Sequence, residues 1–263
     1  MNMILFDEYP SEGLIPLKDE RAKHIVEILK LKVGDTFRMG IVNQSEGTAK
    51  VEKLSEEGVT ISYQAFSKPE LYPVTLLCAQ VRPICMKRIL REAVSLGVGR
   101  ILLTGSDTGE KSYLSSNLYK TDEYKEYLLD GAMQAAHAGL PEVIFTNSVD
   151  GALKKISEAI GLAGQKELNS QESLNSQESS KHQAGDVSLI ILDNVFGATA
   201  LSKSQIKAQA VLAIGPERGW SQRERDLFIA KGFKPMLLGS RVLRTETACS
   251  AGIAVLLSRM NFL

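Results

Sequence analysis

The spacing of apolar positions along the 263-residue chain changes character near residue 74. Before it, GDTFRMGIVN, GTAKVEKLSEEG and VTISYQAFS are short alternating or β-branched runs, separated by Gly, Asn and Glu clusters. Period-two alternation of this kind predicts half-buried strands. One stretch breaks the pattern. In DERAKHIVEILKLKVGD the apolar residues Ala22, Ile25, Val26, Ile28 and Leu29 share a helical stripe, and Gly34 marks the exit. Strands and one short helix within residues 1–70 predict a small β-barrel, and Pro69 and Pro73 punctuate its end.

From residue 74 strand and helix alternate. VTLLCAQ, RILLTG, PEVIFTNS, VSLIILD, QAVLAIG and PMLLGS read as strands; residues 83–97, 118–138 and 149–162 read as helices, and helical segments are expected after the later strands too. Repeated β-α alternation predicts an α/β fold with a mostly parallel sheet covered by helices. Ligands of such sheets bind beyond the carboxyl ends of the strands, which directs attention to ILDNVFGATA, IGPERGWS and LGSRVLRTETA. The domain spans residues 74–263, interrupted at about 164–186 by polar sequence in which LNSQES occurs twice in tandem, at 168–173 and 174–179. Such sequence lacks the apolar groups that offset ordering entropy, so a disordered loop is expected there.

Composition alters this picture little. Net charge is zero, but from Ala200 onward ten Lys and Arg face four Asp and Glu, while residues 1–70 carry nine against twelve. A basic C-terminal part suits a polyanionic partner and equally suits a solvated surface. Cys78, Cys85 and Cys249 show no CxxC spacing and the three histidines are scattered, so no metal site is predicted. No apolar run reaches the 18 or so residues of a membrane span, and MNMILFDEYP lacks the basic start of a signal peptide. A cytoplasmic protein with reduced thiols is expected.

Two segments carry charge where a core pattern does not call for it. In VLAIGPERGWSQRERDLF a strand ends in a glycine-bearing turn, and Ser221 and Glu224 have capping-box spacing. Such a turn admits a ligand close to the backbone, and it is also an ordinary tight βα connection. Both dinucleotide and phosphate-loop glycine signatures are missing from it. In LGSRVLRTETA, Gly239 permits a turn and Thr245 is expected to cap the last helix, with Glu246 favoured by its dipole. Arg241 and Arg244 are left over. Either an arginine meets an anion while Leu243 packs on an apolar ring, or an Arg–Glu pair stitches the turn. Arg82, Lys87, Arg88 and Arg91, before Gly97, are candidate phosphate contacts or a solvated helix face.

Together, IGPERGWS…E followed by LGSRVLRTETA resembles the paired signature of the RsmE family, IGPEGG(F/L)S..E and LG.R(I/V)LR.ETA. HIVEILKLKVGD, SLGVGRI and QAAHAGLPEV resemble weaker family elements, the last standing where the family has EQ.GR..VPE. Members are SPOUT-class methyltransferases of uridine N3 in small-subunit ribosomal RNA. The resemblance implies a SPOUT-type α/β knot (trefoil) methyltransferase domain preceded by a small PUA-like, RNA-binding β-barrel. It implies a homodimer acting on small-subunit ribosomal RNA or the 30S particle, without metal or membrane. It also implies an S-adenosyl-L-methionine pocket built from three loops. Those correspond to Leu192 and the residues after it; to Ile214, Gly215, Pro216, Glu217 and Gly219; and to Leu238, Gly239, Leu243, Thr245, Thr247 and Ala248. Arg241 would join the RNA-binding set.

Arg218 replaces the first glycine of PEGG, and a positive φ there would strain an arginine. His137 stands at the family's arginine in EQ.GR. For methyl transfer to N3, Arg244 would supply positive charge near the uracil oxygens or hold phosphate, and Glu246 would orient it. His137, Glu217 and solvent are the candidate bases. The target uridine must be unpaired or extruded. Two other readings stay open: a SPOUT enzyme with a different RNA target, and a non-catalytic RNA-binding or ribosome-assembly protein that keeps the cofactor fold.

Overall fold

The computed structural model describes residues 2–170, 187–195 and 197–263. In chain order the elements begin with β1 (Ile4–Phe6), β2 (Leu14–Pro16), α1 (Glu20–Lys23), β3 (Thr36–Ile41), β4 (Ser45–Leu54) and β5 (Gly58–Ser67). Next come β6 (Tyr72–Ala79), α2 (Pro83–Ser95), β7 (Val98–Thr104), α3 (Asn117–Lys120), α4 (Tyr124–Ala135), β8 (Glu142–Thr146) and α5 (Val149–Ser170). The chain closes with β9 (Val187–Leu192), β10 (Thr199–Ala200), β11 (Gln209–Ile214), α6 (Gln222–Ala230), β12 (Lys234–Leu237) and α7 (Thr245–Arg259). These elements form two compact units, Met1–Leu71 with Lys125–Leu140, and Tyr72–Tyr124 with Pro141–Leu263.

The first unit holds a sheet ordered β1-β3-β4-β5-β2, antiparallel except for the β1–β3 pair. Alternate residues Ala49 and Val51 of β4 and Val59 and Ile61 of β5 are buried, as the period of two predicts. The helical stripe fares worse. α1 gives way after four residues to a π-turn over His24–Ile28, which rotates the later side chains out of phase. Ala22 and Ile25 are buried, whereas Val26, Ile28 and Leu29 are exposed. Residues 118–138, one helix on apolar spacing, are broken at Asp122, whose φ is +58°. The part from Lys125 onward belongs to the first unit. It is bound there by Ala138 N–H donating to Glu46 Oε1 (2.7 Å) and Leu140 N–H to Asn43 Oδ1 (2.7 Å). A side chain at Gly40 would come within 2.6 Å of Ala138 Cβ, so glycine is needed where this segment crosses β3.

The second unit is built on an all-parallel sheet, β10-β12-β9-β11-β6-β7-β8 among the described residues. Its central strands read as continuous apolar runs because both faces are covered. Leu76, Leu77, Cys78 and Ala79 of β6 are fully buried. One face carries Val149, Leu153, Trp220, Phe228 and Phe233. Each large side chain so buried contributes roughly 1.5–3 kcal/mol. Helices are not found after every late strand. The next element described after β9 is the two-residue β10, then a single turn at Leu201–Lys203. α5 continues to Ser170, past its expected end at 162, and the rest of the expected loop lies outside the described residues. No helix of the described residues is long and apolar enough to cross a membrane.

Candidate active site

The carboxyl ends of β9, β11 and β12 converge on a pocket of about 310 Å³ in the second unit. That lies at the lower end of the ~300–1,000 Å³ usual for small-molecule sites. Three segments line it: Leu192–Asn194, Ile214–Trp220, and residues between Met236 and Ala248; Arg225 of α6 adds a side chain.

The middle segment is shaped by its glycines. A Cβ on Gly215 would lie 3.2 Å from Trp220 N and 3.3 Å from Gly219 Cα, and Gly219 holds φ +70°. Gly219 N–H closes the turn on Pro216 O at 2.8 Å, and Gly219 O accepts from Thr108 Oγ1 at 2.5 Å. Positive φ thus falls on Gly219, and Arg218 is not among the positive-φ residues, so the substitution for glycine is unstrained. Trp220 anchors the turn from below, 2% exposed and 4.9 Å from the Phe228 ring.

The capping box is formed. Ser221 Oγ accepts from Glu224 N–H (3.1 Å), and Glu224 Oε2 accepts from Ser221 N–H (2.8 Å). The buried Glu224 also accepts Asp107 N–H on Oε1 (2.8 Å), which ties the loop after β7 to the start of α6. Asp107 returns the contact, accepting from Arg223 (2.8 and 2.9 Å) and Ser221 Oγ (2.6 Å). The Arg223 guanidinium, then the Ser221 hydroxyl, hold the Asp107 carboxyl below the usual carboxylate range.

The third segment differs from expectation at its cap. Arg244 occupies the N-cap position of α7 without a side-chain cap, and Thr245 Oγ1 instead donates to Gly215 O at 3.2 Å. That bond joins the third loop to the second. α7 lies close beneath them: a Cβ on Gly252 would fall 2.8 Å from Leu192 Cδ1.

Of the residues singled out from sequence, Leu192, Ile214, Gly215, Pro216, Glu217, Gly219, Leu238, Leu243, Thr245 and Ala248 line the pocket, and so does Arg241. Gly239 and Thr247 are exposed and outside the lining; Gly239, at φ +147°, serves the turn. Arg244 is 84% exposed, with Nη1 4.0 Å from Glu246 Oε1, too loose a pair to stitch the turn. Burial, then the Glu246 and Glu217 carboxylates, push the Cys85 thiol up, which keeps it protonated beside the site. On α2, Arg82, Arg88 and Arg91 are exposed, and Lys87 pairs with Glu123 at 2.7 Å. His137 lies in the first unit. Its Nδ1 accepts Gly139 N–H at 3.0 Å, so the neutral ring carries its proton on Nε2, 3.6 Å from Glu46 Oε1. The ring is thus held within the first unit through both nitrogens' neighbours, Gly139 and Glu46.

Sequence reasoning missed Arg225 and Met236 in the lining; Asp193, Asn194 and Trp220 fall within the expected loops but were not singled out. Asp193 and Arg225 are held in a two-point ion pair, through Arg225 Nε and, at 3.3 Å, Nη2. The only signal available was the position of Asp193 at the carboxyl end of a strand.

A family model described as an RNA methyltransferase domain matches residues 68–257. A ribosomal RNA small subunit methyltransferase E from Treponema pallidum is 33% identical over 99% of this chain and 92% of its own length. The chain belongs to the ribosomal RNA small subunit methyltransferase E family. It is an RNA methyltransferase. A second member of the family, ribosomal RNA small subunit methyltransferase E 1 from Borreliella burgdorferi, is 29% identical over 99% of both chains. The fold agrees with a solved family structure, the Neisseria gonorrhoeae enzyme bound to S-adenosyl methionine, at TM-score 0.72 and 20% identity, covering 98% of this chain and 97% of that one. Within the family pattern this chain's arginine at position 218 thus sits in a turn whose positive φ is carried by Gly219.

Proposed function

We propose that this methyltransferase places a methyl group on N3 of a uridine in small-subunit (16S) ribosomal RNA, with S-adenosyl-L-methionine as donor. The observation that carries the reading is the convergence of IGPERGWS and LGSRVLRTETA on one pocket at the strand ends, joined by the Thr245–Gly215 bond. The residues present suit the cofactor. Leu192, Ile214, Leu238 and Leu243 offer apolar contact for an adenosine, and the close-packed Gly215 turn leaves backbone polar groups accessible to its edges. Glu217 and the Asp193–Arg225 pair provide polar partners for its ribose and amino-acid ends. The bound cofactor supplies an electrophilic methyl group.

The chain's own residues align and charge the site. Arg244, unburied and barely paired, is free to meet the uracil oxygens or a phosphate; Glu246, whose carboxyl is largely covered, limits its direction. An arginine cannot take the N3 proton at neutral pH. With Nδ1 of His137 engaged, Glu217 and solvent are the remaining acceptors. Entry of β12 between β9 and β10, followed by α7 beneath the pocket, supports the trefoil knot. The five-stranded first unit supports a PUA-like RNA-holding module. Homodimeric assembly, with RNA shared between protomers, and a cytoplasmic site of action complete the proposal on the strength of the family resemblance.

The test is labelled-methyl transfer to small-subunit particles lacking the modification, followed by mass mapping of the nucleoside. One N3-methyluridine per particle is expected. Transfer to another base would favour the different-target reading. Cofactor binding and RNA retention without transfer would favour the assembly-protein reading.

A further inference from the structure

The pocket's charged groups are unequally satisfied. Arg225 is held by Asp193. Arg218 and Arg241 line the same pocket, are exposed, and have no hydrogen-bond or ion-pair partner among the described residues. Arg218 is the more informative of the two. Its backbone is fixed on both sides, by Gly219 N–H on Pro216 O and by Thr108 Oγ1 on Gly219 O. Its φ is ordinary, so the turn neither requires arginine nor forbids glycine at this position. The side chain therefore does nothing for the fold.

What it can do follows from charge. An exposed guanidinium at a pocket rim attracts anions, and its planar fork suits phosphate oxygens. The proposed cofactor brings a sulfonium cation, which gains nothing from a facing arginine, and one carboxylate. Two unpaired guanidinium groups exceed that single carboxylate, while an RNA strand entering the pocket brings a phosphate with every nucleotide. We propose that Arg218 is an RNA-binding residue, clamping a phosphodiester beside the target nucleotide, with Arg241 of the third loop as its companion. This rests on the methyltransferase reading of the pocket.

The test compares full-length wild-type, Arg218→Gly and Arg218→Lys proteins, with thermal melts confirming equal folding. RNA binding to a small-subunit ribosomal RNA fragment is measured across a salt series without turnover, cofactor binding by calorimetry, and methyl transfer by kinetics. Arg218→Gly should weaken RNA binding on the order of threefold to tenfold and flatten the slope of log affinity against log salt by about 0.7–0.9, one phosphate contact. The loss in kcat/KM should fall mainly on KM for RNA, and Arg218→Lys should restore the salt slope. Cofactor affinity should stay within about twofold, well below one tenfold step of ~1.4 kcal/mol. An unchanged salt slope overturns the clamp. So does weaker cofactor binding with RNA binding intact, which would assign Arg218 to the cofactor's carboxylate. The predicted slope change on Arg218→Gly, together with no methyl transfer by the wild-type protein, would sink the enzymatic reading and leave the clamp standing.

Discussion

The exposure of Arg244 sets it apart from the side chains that hold the fold. It is 84% exposed and approaches Glu246 no nearer than 4.0 Å, so it contributes little to folding. If it stabilises charge on the uracil oxygens, Arg244→Ala should reduce single-turnover methyl transfer about a hundredfold. Its unfolding free energy should stay within about 0.5 kcal/mol of wild type. Matched denaturation and single-turnover runs check this; unchanged transfer would remove Arg244 from the catalytic set. The residues recognisable in sequence were those whose chemistry is local: the turn glycines, the Ser221–Glu224 spacing, and the small residues before α7. Thr245 was assigned to the wrong partner because the carbonyl it meets, on Gly215, is thirty positions away. The Asp193–Arg225 pair, thirty-two positions apart, was invisible for the same reason. His137 could be noticed as a departure, but only the folded contacts reveal that its Nδ1 is occupied.

Between the elements, the brace on α6 determines how well the Gly215–Trp220 turn is held. Asp107 accepts from Arg223 and Ser221, and both contacts lower its carboxyl pKa in the folded state. A carboxyl depressed on folding adds stability above its unfolded pKa, near 3.9, and that stability is lost as pH falls through the lower folded value. Asp107→Asn should therefore be less stable than wild type at neutral pH, and the gap should narrow as pH falls below about 4, closing only below the folded-state pKa. Urea titrations from about pH 2 to 7 measure the difference; a gap of constant size across that range would mean that the carboxylate's charge is not the source. At this scale periodicity was a good guide to long runs and a poor one to breaks. The central strands of the parallel sheet were readable because they are buried on both faces. The three-residue β1 and β2 are too short to show alternation. The π-turn after α1 and the break at Asp122 arise from backbone geometry that apolar spacing does not encode.

For the molecule as a whole, the question is where a ligand's free energy is felt. All lining residues of the pocket belong to the second unit, whereas the sheet from β1 to β5 belongs to the first. A ligand that binds only the folded state, at 100 times its dissociation constant, stabilises by about 2.7 kcal/mol. Local opening is suppressed where the contacts are made. Saturating S-adenosyl-L-methionine should therefore slow amide exchange across Ile214–Trp220 and Leu238–Ala248. The bonds linking these loops, Thr245 to Gly215 and Asp107 to Glu224, should carry the effect to the start of α6 and the loop after β7. Amides of β3 to β5 should exchange as before. Hydrogen exchange read by mass spectrometry, with and without cofactor, decides the matter. Protection rising equally in Thr36–Ser67 would show that the cofactor's contacts are not confined to the three loops. An absence of protection in Ile214–Trp220 would mean that the glycine turn is not part of the site. The basic C-terminal quarter follows the same division: the pocket, with its unpaired arginines, lies in the part of the chain that carries the excess of Lys and Arg. In a sequence of zero net charge, folding brings Arg218 and Arg241 to one opening, the face that the proposed RNA contact would use.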